Sequence, residues 1–201
     1  MQTPGNKLKE EYYLQADVVS VARDLIGKRL CSNIEGKYTA GIITETEAYV
    51  GITDRASHSF GGKMTERTKI MYLQGGVAYI YLCYGVHSLF NIVTNLEGIP
   101  DAVLVRGIYP ERGIEVMKER RGNDISVKKM GSGPGNVSKA LGIHYSLSGI
   151  SLLGSAIWLE SDKDINFEGS IQWGSRIGVG YAGKDALLPY RFYITDNQLH
   201  I

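Results

Sequence analysis

Cysteine is scarce in this chain: Cys31 and Cys83 are the only two in 201 residues, each within an apolar run. Such a pair reads as buried free thiols in a reducing compartment, not as a disulfide framework. Cys83 and His87 stand four apart, but their flanks read as strand and turn, and no second pair has ligand spacing. No metal and no cofactor is therefore expected. Long apolar runs are missing too. The longest, 77–86, is about half of the ~20 residues that a membrane helix needs. The opening MQTPGNKLKEEYY lacks the apolar core of a secretory signal. A cytoplasmic protein with no membrane attachment is the expectation. Neither sign of charge prevails, the net being +1. No repeat, low-complexity tract or interdomain linker divides the chain, so one domain over 1–201 is expected, with 1–10 a flexible N-terminus.

Glycine, by contrast, is abundant at 25 of 201, against an average near ~7%, so many turns or close backbone approaches are expected. Asp17 reads as the N-cap of a helix carrying Val18, Val21, Ala22, Leu25 and Ile26, which Gly27 stops. Residues 28–33 and 38–50, joined by Asn33-Ile34-Glu35-Gly36-Lys37, read as a hairpin. Further strands are expected at 77–82, 90–94, 102–108, 157–160, 171–179 and 190–195. Pro110 reads as the start of a helix that ends at Arg121 and stops at Gly122. The whole suggests an α+β fold: a single compact domain with a curved, mostly antiparallel β-sheet and flanking helices. Residues 111–139 hold seven Lys/Arg against four acids, whereas 140–201 hold four against six, so a local basic face is possible on a neutral protein.

The chemistry concentrates between Gly41 and Thr94. Ile43, Glu45, Glu47 and Tyr49 alternate with Ile42, Thr44, Thr46, Ala48 and Val50, which places two carboxylates and a tyrosine on one strand face. Strand rise alone separates the carboxyl groups by roughly 6–7 Å, near the spacing of paired carboxylates in inverting glycosidases. A solvated strand face has the same pattern; apolar strands on both sides favour a partly desolvated base. Tyr72, Tyr79, Tyr81 and Tyr84 are either core and rim or plates on which a flat ring stacks. The 18-residue loop 51–68, with His58, Lys63 and Arg67, is long enough to suggest function.

Two glycine patterns need weighing. Gly178-Val179-Gly180-Tyr181-Ala182-Gly183 matches the dinucleotide fingerprint, but Pro189 leaves no room for the helix that must follow, so a turn-rich loop is expected. Gly-Ser-Gly-Pro-Gly at 131–135 leads into a short helix ending at Gly142 and reads equally as a phosphate contact or a tight turn. His144 and His200 have no chemical context.

Glu-Thr-Glu-Ala-Tyr, Ala-Ser-His-Ser, Tyr-Ile-Tyr-Leu-Cys-Tyr-Gly, Phe-Asn-Ile-Val and Val-Leu-Val-Arg together resemble the alkyladenine (3-methyladenine) DNA glycosylases. The likeness continues through Gly-Ser-Gly-Pro-Gly, Trp158-Leu159-Glu160, Arg176-Ile177-Gly178-Val179 and Pro189-Tyr190-Arg191-Phe192-Tyr193, from about residue 12 to 195. It implies a metal-free base-excision enzyme that hydrolyses the N-glycosidic bond of alkylated or deaminated purines in double-stranded DNA, without an obligate protein partner. Glu47 matches the general base and Arg106 the arginine that positions its water. Tyr49 matches the plate on one face of the flipped base, His58 with Tyr81 the other face. Asn91 matches the guard against the 2-amino group of guanine, and Tyr84 the residue that inserts into the duplex. No lysine nucleophile is evident, which fits a monofunctional glycosylase. Lys63, Arg67, Lys128, Lys129 and Lys139 are expected to face the DNA backbone. Phe60 and Asn136 depart from the basic residues that relatives carry there, which bears on backbone affinity. Two rivals remain open: a non-catalytic module that binds a modified base, and a hydrolase of free nucleosides.

Overall fold

The structure, a computed structural model, describes residues 6–161 and 171–194. Its organising element is a 13-residue strand, and the sequence accounts for its beginning. A helix α1 (Glu10–Tyr13) follows the short strand β1 (Asn6–Lys7), and α2 (Val18–Asp24) comes next. The Asp17 carboxylate caps α2 by accepting from the backbone N–H groups of Val19 and Ser20, satisfying donors that a helix start leaves free. β2 (Arg29–Ile34) then turns through Glu35 and Gly36 into β3 (Lys37–Tyr49). Both turn residues have positive φ, 55° and 74°, as the twist of a two-residue hairpin requires.

β4 (Ala78–Cys83), β5 (His87–Thr94) and β6 (Asp101–Arg112) form a meander that returns to β3. After helices α3 (Ile114–Arg121), α4 (Val127–Met130) and α5 (Pro134–Leu141), the chain adds β7 (Ile157–Ser161), β8 (Gln172–Gly174) and β9 (Arg191–Tyr193). The main path through the sheet is β1-β7-β2-β3-β6-β5-β4, with every pairing antiparallel. One edge of β3 is held by β6. The other is held first by β2, then by β9 at Glu45, Thr46 and Glu47. Three register irregularities between Ala40 and Thr46 bend β3 where it changes partners, as bulges do. The principal core packs α2, α3 and α5 against the sheet through Val21, Leu25, Met117, Val137 and Leu141. The fold is α+β, with one mostly antiparallel sheet and flanking helices.

Several boundaries differ from the expectation. Pro110 does not start a helix; it lies within β6, opposite Gly41 at a register irregularity, where a missing N–H costs the ladder little. Helix α3 starts at Ile114 after Gly113, whose φ is 69°. The strand expected over 171–179 is confined to β8, and the glycine-rich 178–183 stretch leads into a 3-10 segment, Gly180–Leu187. Asn6 and Lys7 pair with β7, and Glu10 opens α1. Residues 1–5, Thr195 and His200 lie outside the described residues.

Candidate active site

β3 carries Glu45, Glu47 and Tyr49 onto one side of the sheet, and Arg106 on β6 reaches across to both carboxylates. Its Nε lies 3.0 Å from Glu45 Oε1 and 3.4 Å from Glu47 Oε1. Arg191 on β9 adds a contact of 3.1 Å to Glu45 Oε1. Glu47 has no exposed surface but is well supplied with donors. The backbone N–H of Ile177 donates to Oε1 at 2.7 Å, and the Tyr49 hydroxyl donates to Oε2 at 2.8 Å. Burial raises the Glu47 pKa above its ordinary value, while Arg106, Ile177 N–H and the Tyr49 hydroxyl hold it down. Arg106 Nη1 adds a longer contact to Glu47 Oε2 at 3.5 Å. A buried carboxylate whose ionisation is disfavoured but supported is suited to take a proton.

Beyond Tyr49 lies a cleft lined by His58, Met71, Tyr79, Tyr81, Asn91, Ala102 and Tyr181. His58 comes from the 51–68 loop, and its Nδ1 is 2.8 Å from the Tyr79 hydroxyl. Burial, with the nearby charges of Arg67 and Lys63, pushes the His58 pKa down to about 4, so the ring is neutral at physiological pH. His58 and Tyr81 do not form one flat plate: their rings meet at 78° with centroids 4.6 Å apart. One offers a face, the other an edge. Asn91 spends both amide protons on the carbonyls of Tyr79 and Leu89, at 3.1 and 3.2 Å, which orients the side chain on the cleft floor.

Tyr84 caps the β4–β5 hairpin. It is 94% exposed and has φ 52°, a left-handed conformation that costs a non-glycine residue energy. Neighbouring Val86 is also exposed. Cys83 and His87 face each other across this hairpin, and Cys31 and Cys83 are free thiols, only Cys31 being buried. Among the described residues no cluster of three His, Cys, Asp or Glu side chains is placed for a metal.

The basic residues disperse. Arg120 bonds the Ala140 carbonyl and Thr39, Arg121 bonds the Met130 carbonyl, and Lys118 pairs with Glu115. Arg120 and Arg121 thus tie α3 to α5, β3 and α4, and the Lys118 pair lies within α3, so the 111–139 segment is not one basic face. Lys128 and Lys129 instead line a cavity of about 430 Å³ with Glu45, Ser132 and Arg191. Lys139 borders a separate cavity beside His87 and His144. Arg67 lies over the Tyr81 ring at 6.0 Å. The Asn136 amide donates to the Ser132 carbonyl, and Phe60 is exposed.

A family model described as methylpurine-DNA glycosylase matches residues 12–198. The chain belongs to this family. Relatives agree over almost their full length. One from Chlamydia felis (strain Fe/C-56) is 42% identical over 188 residues, covering 93% of this chain and 95% of its own. One from Chlamydia pneumoniae is 40% identical over 189 residues, covering 94% and 95%. A third, from Desulfitobacterium hafniense (strain Y51), is 40% identical over 199 residues, covering 96% and 97%. All three carry the provisional name 3-methyladenine DNA glycosylase. Membership of the methylpurine-DNA glycosylase family makes this chain a DNA glycosylase, a hydrolase of base–sugar bonds. No helix among the described residues is long and apolar enough to cross a membrane.

Sequence reasoning left three participants unassigned. Arg176 is buried against Asp54, with Nη2 to Asp54 Oδ1 at 2.9 Å and Nη1 to the Ala48 carbonyl at 2.9 Å. Its guanidinium also lies 4.9 Å over the Tyr49 ring, closing one face of that ring. Ile177 contributes only its N–H, and Tyr181 lines the cleft from outside the sheet. A backbone donor leaves no compositional trace; Arg176 falls in the Arg176-Ile177-Gly178-Val179 match, which by itself assigns it no role.

Proposed function

We propose that this DNA glycosylase flips an alkylated or deaminated purine out of duplex DNA and hydrolyses its N-glycosidic bond with a water activated by Glu47. The observation that carries this reading is the buried Glu47, held by Ile177 N–H, Arg106 and the hydroxyl of Tyr49, whose ring lines the aromatic cleft. In the reaction the water oxygen bonds the anomeric carbon, the bond to the base nitrogen breaks, and the base leaves with that electron pair. Glu47 takes the water proton, and Arg106 holds Glu47 and the water in place.

A purine methylated at N3 or N7 is cationic, so it leaves readily and is attracted to aromatic faces. Tyr49 supplies one face; Tyr81 and the neutral His58 bound the other side. Asn91, fixed by its two carbonyl bonds, crowds the 2-amino group of guanine. Tyr84, exposed at its hairpin tip, fills the space in the duplex and offsets part of the few kcal/mol that flipping costs. Lys63, Arg67, Lys128, Lys129 and Lys139 contact phosphates more weakly. The substrates are 3-methyladenine, 7-methylguanine and hypoxanthine, and the enzyme releases the base without cutting the strand.

The test is release of free base from alkylated duplex DNA compared with free nucleoside. Release from duplex alone, with the abasic strand intact, is the expected result. Binding without release would favour a non-catalytic module, and equal release from nucleoside would favour a nucleoside hydrolase.

A further inference from the structure

The cleft that the proposed function assigns to a purine has an open volume of about 30 Å³. Ligand sites usually offer ~300 Å³ or more, so a wall has to move before a base can enter. Most of the walls are fixed. Met71, Tyr79, Asn91 and Ala102 are buried on or against the sheet, Tyr49 lies under Arg176 and is bonded to Glu47, and His58 is tied to Tyr79.

Tyr181 differs from all of them. It is 71% exposed, and its hydroxyl donates to the Ala56 carbonyl at 3.1 Å. The backbone around it is anchored: Val179 and Ala182 are buried with Ala56, and the Asp185 carbonyl accepts from Arg176. The side chain can therefore rotate while the segment stays in place.

We infer that Tyr181 is the movable wall of the base pocket, closed by its bond to Ala56 in the free protein and swung out to cover the base edge once a purine is in. This rests on the proposed function and adds a residue that sets which purines are held. Admitting a base breaks the Tyr181–Ala56 bond, worth about fivefold in an equilibrium. The ring then rests on the base edge and limits how large the base can be.

Two variants test this, both at an exposed position. Tyr181→Phe removes the bond but keeps the ring, and is expected to tighten binding to a duplex with hypoxanthine by about two- to fivefold, with undamaged duplex unaffected. Tyr181→Ala removes the ring. It is expected to raise excision of a purine enlarged by a fused ring, relative to hypoxanthine, by about tenfold in the ratio of kcat/KM values. A general structural defect would lower both substrates together and leave that ratio unchanged. If Tyr181→Phe binds as the parent does and the Tyr181→Ala ratio does not move, the inference is overturned. A parent protein that releases no purine at all would overturn the proposed function instead.

Discussion

The Tyr49 hydroxyl donates to Glu47 Oε2 at 2.8 Å, so the ring proposed to hold the base is bonded to the carboxylate proposed to activate water. Both side chains project from the same face of β3, two residues apart. Glu47 also accepts from a backbone N–H contributed 130 residues further along the chain. The proposed base plate and the proposed proton acceptor are thereby joined through one short contact.

Glu47→Gln keeps the shape and removes the proton acceptor, so single-turnover base release should fall by about 10²–10⁴. Binding to a lesion duplex should persist or tighten. Glu45 is the internal control: it accepts from Arg106 and Arg191 at 3.0 and 3.1 Å. Glu45→Gln should act mostly through stability, on the order of 1–2 kcal/mol, read by thermal unfolding. If Glu45→Gln is the inactive variant, the base has been misassigned.

Tyr49→Phe should displace the acid limb of the kcat/KM profile toward higher pH. Burial already raises the Glu47 pKa above 4.5, and the Tyr49 hydroxyl is one of the groups opposing that rise. Because the folded value is raised, Glu47 contributes stability that is full below its unfolded pKa and lost as pH rises through the folded value. Glu47→Gln should remove that component from a pH series of unfolding measurements. An acid limb that stays in place in Tyr49→Phe would refute the link.

Tyr84 separates stability from function. At φ 52° a glycine relieves strain, so Tyr84→Gly should gain about 0.5–1 kcal/mol in denaturant unfolding. The same variant should bind a lesion duplex more weakly and excise from single strands almost as the parent does. Equal losses on both substrates would indicate a pocket role for Tyr84.

Asn91→Ala should admit guanine, whose 2-amino group is its added bulk relative to hypoxanthine. It also removes the bonds to Tyr79 and Leu89, at a cost of about 1–2 kcal/mol. Release of guanine from undamaged DNA is the measurement; a substrate range identical to the parent's would place the discrimination elsewhere.

Lys128 and Lys129 border a cavity that begins at Glu45, just along β3 from Glu47. If they meet phosphate, changing both to Glu should weaken lesion and plain DNA alike and flatten the slope of log K against log salt by about two. An unchanged slope would place them off the interface.

The sequence by itself determined the local parts of this protein. Alternation over 42–50 sets Glu45, Glu47 and Tyr49 on one face, Glu35-Gly36 makes the turn before them, and Asp17 starts α2, because each depends on residues a few positions apart. The break at Tyr84-Gly85 is legible for the same reason. Pro110 misled because its first-turn preference is weak beside the ladder that β6 shares with β3. Tertiary structure alone decided what meets Glu47. β9 displaces β2 from the edge of β3, and Ile177 and Arg176 arrive in the segment just before it. The dispersal of the basic segment followed from packing too, since Arg120 and Arg121 satisfy buried carbonyls. The closure of the cleft by Tyr181 depends on a contact with Ala56, 125 residues away. Such contacts are selected by the packing of whole elements, and no periodicity in a short window records them.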